Sequence, residues 1–262
     1  MDINNFKNFS IFNEKSIKSM QSTGKKFKEL AEQVKRAGEQ VKRAGEKSLK
    51  VNKVLIDFEY PPFDHFNLFM ILDLIEILPL ENPDDINEEY FNNMILEYFD
   101  HEHLDYLKDD IDNYNLSKDD RKIFKNILLG YKNEQYDLII PTLLSRIEGL
   151  VYKNIGFEGK STYGNFNKII DEVINNYKLK HSIYDDSEFI KIKEYYKEGL
   201  KRQFTFNDPD NEKINRHAIM HGHSSQYGTK INSVKLLLHF EYLHYCLLEL
   251  SEQEKNRIKQ LL

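Results

Sequence analysis

The densest run of side chains able to move protons or hold a charge is Asn215-Arg216-His217-Ala218-Ile219-Met220-His221-Gly222-His223. Imidazole titrates near pH ~6.5, so it can donate or accept a proton close to neutrality. Arginine offers a permanent charge on a planar donor fork that matches phosphate oxygens. Together these two types can cut RNA without a metal. The 2′-hydroxyl attacks the adjacent phosphorus, one group moves a proton at the attacking or leaving oxygen, and the cation stabilises the charge that builds on the phosphorane. At about 100° per residue, His217 and His221 fall about 40° apart on a helix, whereas Arg216 and His221 fall about 140° apart. Helical spacing alone therefore pairs the two histidines. A second chemistry takes His217, His221 and His223 as three imidazole ligands of zinc. Its HExxH protease version fails, because Ala218 stands where the glutamate would be. A further run of ligand types, Asp100-His101-Glu102-His103, reads as an exposed acidic turn.

The segment Arg216-His217-Ala218-Ile219-Met220-His221 resembles the signature of the HEPN superfamily of helical ribonucleases: an arginine, a polar residue, then further residues before a histidine. The resemblance covers roughly residues 121–262, in which 136–156 looks like the long first helix of such domains and the motif stands near the start of the last helical pair. It implies an all-α fold, with a HEPN-type bundle in the C-terminal half preceded by an additional helical region. It makes Arg216 and His221 catalytic and His217 the supporting polar residue, with no metal and no cofactor. In this family two protomers pair so that both motifs line one cleft, which would resolve the angular separation of Arg216 from His221. The implied activity is a metal-independent endoribonuclease that leaves a 2′,3′-cyclic phosphate and a 5′-hydroxyl. The implied setting is bacterial antiviral defence, as a toxin or abortive-infection effector held inactive by an inhibitory or sensor partner or by its own N-terminal part. The alternatives are a catalytically inactive HEPN scaffold or partner-binding module, and a His-ligated zinc enzyme. Asn215, His223 and Tyr227 lie nearby with no role that the motif assigns.

The elements that must position these residues are helical by period. Ile140, Leu143, Leu144, Ile147 and Val151 mark one face of a helix that Pro141 bends or starts. Arg146 and Glu148 then fall on its exposed side as ion-pairing surface, or Glu148-Gly149 marks a close helix packing. Helices are expected over 66–78, 86–99, 117–129, 163–179, 187–204, 211–221 and 229–250, with capping patterns at Ser117-x-x-Asp120 and Ser251-x-x-Glu254. The helix over 229–250 carries two apolar rows, Leu236, Phe240, Leu243, Leu247 and Leu250 beside Val234, Leu238, Tyr242 and Tyr245, so it should be buried on more than one side. Residues 54–62 alternate apolar and polar before Pro61-Pro62 and read as a short strand or an extended connector.

A chain of 262 residues with 40% hydrophobic residues can bury a real core without staples. A single cysteine, Cys246, excludes an internal disulfide and a Cys-based zinc cage and points to a reducing compartment. The absence of an apolar run of about 18–20 residues and of a signal-peptide-like start leads to the expectation of a cytoplasmic protein with no membrane partner. Charge is unevenly placed: residues 1–53 carry 13 Lys/Arg against 6 Asp/Glu, residues 81–120 carry 14 acids against 2 bases, and residues 121–262 carry 22 bases against 18 acids. The resulting division is a basic arm (1–53), an acidic helical region (54–120) and a HEPN-like bundle (121–262). The arm holds the tandem repeat EQVKRAG at 32–38 and 39–45, a thin helical stripe interrupted by Gly38 and Gly45. Nucleic acid is an obvious partner for such an arm, where Phe27 could meet a base.

Overall fold

The computed structural model describes residues 35, 36, 39, 42, 43, 45–62, 86–181, 186–210 and 213–262, apart from the side chain of Glu102. The helix expected over 66–78 and the first 34 residues of the arm, Phe27 included, lie outside the described residues. Every regular element among the described residues is helical. The chain forms two compact units, Met1–Ser48 and Leu49–Leu262. In the first, the described residues are helical and exposed apart from a half-buried Ser48, with Lys42 and Glu46 one turn apart at 3.9 Å.

The second unit contains α1 (49–57), α2 (Glu88–Tyr98), a π-helical turn (Phe99–His103), α3 (Leu104–Asp110), α4 (Lys118–Lys132) and α5 (Tyr136–Ile155). It continues through α6 (Tyr163–Lys180), α7 (Asp186–Glu194), a second π-helical turn (Tyr195–Gly199), α8 (Arg216–Met220), α9 (Lys230–Leu248) and α10 (Glu252–Gln260). The acidic region after residue 54 and the residues after 121 therefore share one unit and one hydrophobic core, running from Val51 to Ile258. Several of the acidic side chains are paired rather than merely solvated: Asp112 with Lys125, Asp105 with Lys132, and Asp120 with both Arg146 and Lys153.

Helix α9 is the central element, packed chiefly on α5 and buried along almost all its length. The two apolar rows predicted for it are both inside, with Tyr245 only half-buried. The capping patterns act as expected: Ser117 Oγ accepts from the Asp120 N–H, and Ser251 and Glu254 form a reciprocal capping box. Pro141 lies inside α5, five residues past its start, so the Asp137 carbonyl has no intrahelical donor. The Tyr227 hydroxyl donates to it at 3.2 Å, which ties the loop before α9 to the start of α5.

Two sequence expectations need correction. Residues 54–62 form no strand: Val51, Val54 and Leu55 are buried at helical spacing, and α1 ends in a left-handed turn at Glu59 (φ 65°). The N–H groups of Tyr60 and Glu59 close that turn by donating to the Leu55 and Ile56 carbonyls. Second, Asp100 and His101 are exposed as expected, but His103 is 1% exposed. The extra residue of the π-helical turn rotates His103 inward, where its Nε2 lies 2.7 Å from Glu241 Oε2 on α9, and Tyr114 donates to the other carboxylate oxygen at 3.3 Å.

Two more histidines of α9 set an acid limit on stability. His239 Nδ1 accepts from the Tyr196 hydroxyl at 2.8 Å, which leaves Nε2–H to donate to the Glu59 carbonyl at 3.1 Å. Burial pushes its pKa down to about 3, and burial pushes that of His244, stacked on Tyr114, down to about 4. Both folded values lie below the unfolded one of ~6.5, so the unfolded chain binds more protons as the pH falls, and each histidine withdraws about 1.4 kcal/mol per pH unit below ~6.5. The urea midpoint should therefore drop between pH 6.5 and 5, and less steeply in His239→Gln; a pH-independent midpoint would contradict this account.

Candidate active site

The motif folds on its own caps. Asn215 Oδ1 accepts the Ala218 N–H at 3.1 Å, which opens α8. Gly222, at φ 72°, closes it, with the His223 N–H donating to the Ala218 carbonyl at 2.8 Å. The Arg216 N–H, left over by so short a helix, donates to the Leu200 carbonyl at 2.8 Å. Ala218 and Ile219 point into the core, and this orientation sends Arg216 and His217 to the rim and leaves His221 exposed.

The helical pairing of the histidines is realised although His221 is the C-cap residue: the two rings lie nearly parallel (17°) with centroids 6.4 Å apart. Arg216 turns the other way. Its Nη2 meets Glu148 Oε2 of α5 at 2.7 Å, while its Nε is buried with no hydrogen-bond partner among the described residues. No hydrogen bond joins Arg216 to His221 among the described residues.

Glu148 is the hub that sequence reasoning missed. It was expected on the exposed side of α5, yet its side chain is only 15% exposed and its Oε1 accepts from Lys201 Nζ at 2.8 Å and from Ser161 Oγ at 3.0 Å. The close packing suggested for Glu148-Gly149 does not involve Gly149, around which a Cβ would meet nothing. Lys201 itself is 4% exposed, with its ammonium 3.8 Å from the centroid of the Phe166 ring. Burial would raise the Glu148 carboxyl, but the hydrogen bond and charge of Lys201 and the charge of Arg216 outweigh it and hold the group below the usual carboxylate range. Burial pushes Lys201 down, opposed by Glu148 and reinforced by Arg216. Burial also pushes His217 down, helped by the charges of Arg216, Lys201 and His221 and opposed by Glu148. One carboxylate thus faces two cations, the buried Lys201 and the more exposed Arg216, beside a His217 imidazole whose neutral form burial favours. Such a site can receive one phosphodiester, donate hydrogen bonds to it from the guanidinium, and take up or release a proton at an exposed imidazole.

The residues without an assigned role have structural ones. Asn215 is the N-cap, Tyr227 ties down the loop before α9, and His223 stacks on Phe204 with its ring nitrogen Nε2 3.1 Å from the Asp208 carbonyl. His223 is thus engaged apart from the His217–His221 pair, and no group of three or more His, Cys, Asp or Glu side chains that could hold a metal ion is present among the described residues. Arg146 pairs with Asp120 at 3.1 Å, in keeping with an ion-pairing role. No helix among the described residues is long and apolar enough to cross a membrane. No protein-family model matches the chain, and neither does a curated protein or a solved structure.

Proposed function

We propose that the protein is a metal-independent endoribonuclease of the HEPN type, acting as a homodimer in which the Arg216-to-His221 segments of two protomers share one RNA strand. The observation that carries this reading is the setting of Arg216, whose guanidinium is oriented by Glu148 and acts on the neighbouring His217, whose ring in turn lies parallel to that of His221. In the reaction, the 2′-hydroxyl loses its proton as its oxygen bonds to phosphorus. The bond from phosphorus to the 5′-oxygen breaks, and that oxygen gains a proton, so a 2′,3′-cyclic phosphate and a 5′-hydroxyl result. His221, exposed and free to approach the strand, exchanges the proton. Arg216 stabilises the phosphorane charge, a contribution that oriented donors typically make at about 10²–10³-fold in rate. His217, whose neutral form burial favours, adds a hydrogen-bonding nitrogen. Met220, 51% exposed next to His221, gives an apolar contact for the second protomer.

The resemblance to a family of defence ribonucleases supports a toxin or abortive-infection role in the cytoplasm, with an inhibitory or sensor partner. Incubation of the purified protein with total RNA should give cleavage that is unchanged by EDTA. Loss of cleavage on chelation, with recovery on adding zinc, would return the site to the three-histidine reading.

A further inference from the structure

An acidic cleft of about 660 Å³ opens beside α8, with Asn215 and Ala218 in its wall. The end of α1, α7 with the π-helical turn after it, and the chain before and after α8 supply the rest. Six carboxylates line it against three cationic side chains, Lys191, Arg202 and Lys213. Those cations already have neighbours among the six. Lys191 pairs with Asp57, Lys213 lies 3.6 Å from Glu59, and Arg202 faces Asp208, which also accepts from the Thr205 N–H and hydroxyl at 2.8 Å. The other three carboxylates meet neutral donors or stand exposed. Glu198 accepts from the Tyr163 hydroxyl at 3.3 Å, Asp210 from the Ser225 N–H and hydroxyl at 2.9 and 2.8 Å, and Glu194 is exposed on the last turn of α7. The same wall holds two buried hydroxyls, those of Tyr195 and of Ser224, the latter residue only 9% exposed, and neither has a hydrogen-bond partner among the described residues. Buried hydroxyls are nearly always partnered, so two orphans in one wall point to a ligand.

We propose that this cleft binds a linear organic polycation of the polyamine class, its ammonium groups on Glu194, Glu198 and Asp210 and its methylene runs over the rings of Tyr195 and Phe204. The excess of three carboxylates selects a cation. How they are spread selects an extended one: no group of three or more His, Cys, Asp or Glu side chains that could hold a metal ion is present among the described residues. A polyamine carries its charges several ångströms apart with apolar methylenes between them, so it can meet carboxylates and aromatic faces in turn. Each ammonium only donates, and the orphaned hydroxyls can accept from it. The volume falls within the range of small-molecule sites, about 300–1,000 Å³. Because Asn215 caps α8 and Ala218 lies in its first turn, the bound cation touches the helix that presents Arg216 and His221, whatever reaction they serve.

Titration calorimetry of the full chain with spermidine, at fixed ionic strength and without RNA, tests this. Binding should saturate at a single site and raise the melting temperature as the spermidine concentration rises. Putrescine, with one ammonium fewer, should bind more weakly, and magnesium ion should not substitute for either. Glu194→Gln combined with Glu198→Gln should weaken spermidine binding about tenfold while the ligand-free protein melts as the parent does. The same change in net charge made on α2, Glu89→Gln with Glu97→Gln, should leave binding at the parent value. Binding that does not saturate, equal stabilisation by magnesium ion, or equal weakening by the α2 pair would reduce the effect to a general attraction between a polycation and an acidic chain and overturn the site. Binding of an oligolysine peptide but not of spermidine would overturn it as well, and would give the cleft to a basic protein segment.

Discussion

Replacing His221 by alanine is expected to slow RNA cleavage by about 10²–10⁴-fold, the range over which positioned acid–base groups act. The melting temperature should stay within the small change typical of a surface substitution, about 0.5 kcal/mol in stability. His221 is exposed, its backbone N–H donates to the His217 carbonyl whatever its side chain, and its ring lies with its centroid 6.4 Å from that of His217 and 6.0 Å from that of Phe204. Little in the fold leans on it. A single-turnover assay beside a thermal melt separates the two effects. Cleavage at the parent rate would remove His221 from the chemistry, and an equal loss of melting temperature would make its role structural.

The second large effect is expected at Glu148. Alanine there removes a counter-charge within hydrogen-bond reach of two cations at once: Lys201, 4% exposed, and Arg216, bound through Nη2 at 2.7 Å. Leaving a buried charge without its partner costs about 3–5 kcal/mol, roughly 10 °C of melting temperature for a unit of this size. Adding Lys201→Met to Glu148→Ala should recover a large part of that loss, because the buried ammonium leaves with its partner and an apolar chain takes its place over Phe166. Cleavage should remain low in both variants, since neither restores the acceptor that orients Arg216. A Glu148→Ala protein that melts like the parent would refute the hub, and a double variant that regains full activity would show that Arg216 needs no such hold.

Much of this architecture was readable in the sequence because its signals are local. The Ser117 and Ser251 caps depend on residues three apart, the buried face of α5 on a 3.6-residue period, and the double burial of α9 on apolar residues at too many angles for one face. The pairing of His217 with His221 followed from the same geometry, but the helix expected over 211–221 is confined to Arg216–Met220, because Asn215 caps it at one end and Gly222 ends it at the other. What escaped the sequence is long-range. Glu148 and Lys201 meet across 53 residues, and His103 and Glu241 across 138. Periodicity placed Glu148 outside, whereas one half-turn of its helix faces the segment carrying Lys201 and Arg216. The inward turn of His103 needed a π-helical residue that shifts the register by one position, and no propensity marks it. Residues 54–60 misled through short alternation, although Val51, Val54 and Leu55 already carried a helical spacing that reaches one turn further back.

The most direct measurement follows the chemistry at one bond: an oligoribonucleotide that the protein cuts, compared in EDTA with the same strand carrying a 2′-deoxy sugar on the 5′ side of the cut. Attack by the 2′-hydroxyl predicts a 2′,3′-cyclic phosphate from the first and no cut at that position in the second. Continued cleavage at the deoxy position would contradict the account, because a water or metal-bound nucleophile would then be doing what is assigned here to the RNA itself under Arg216 and His221.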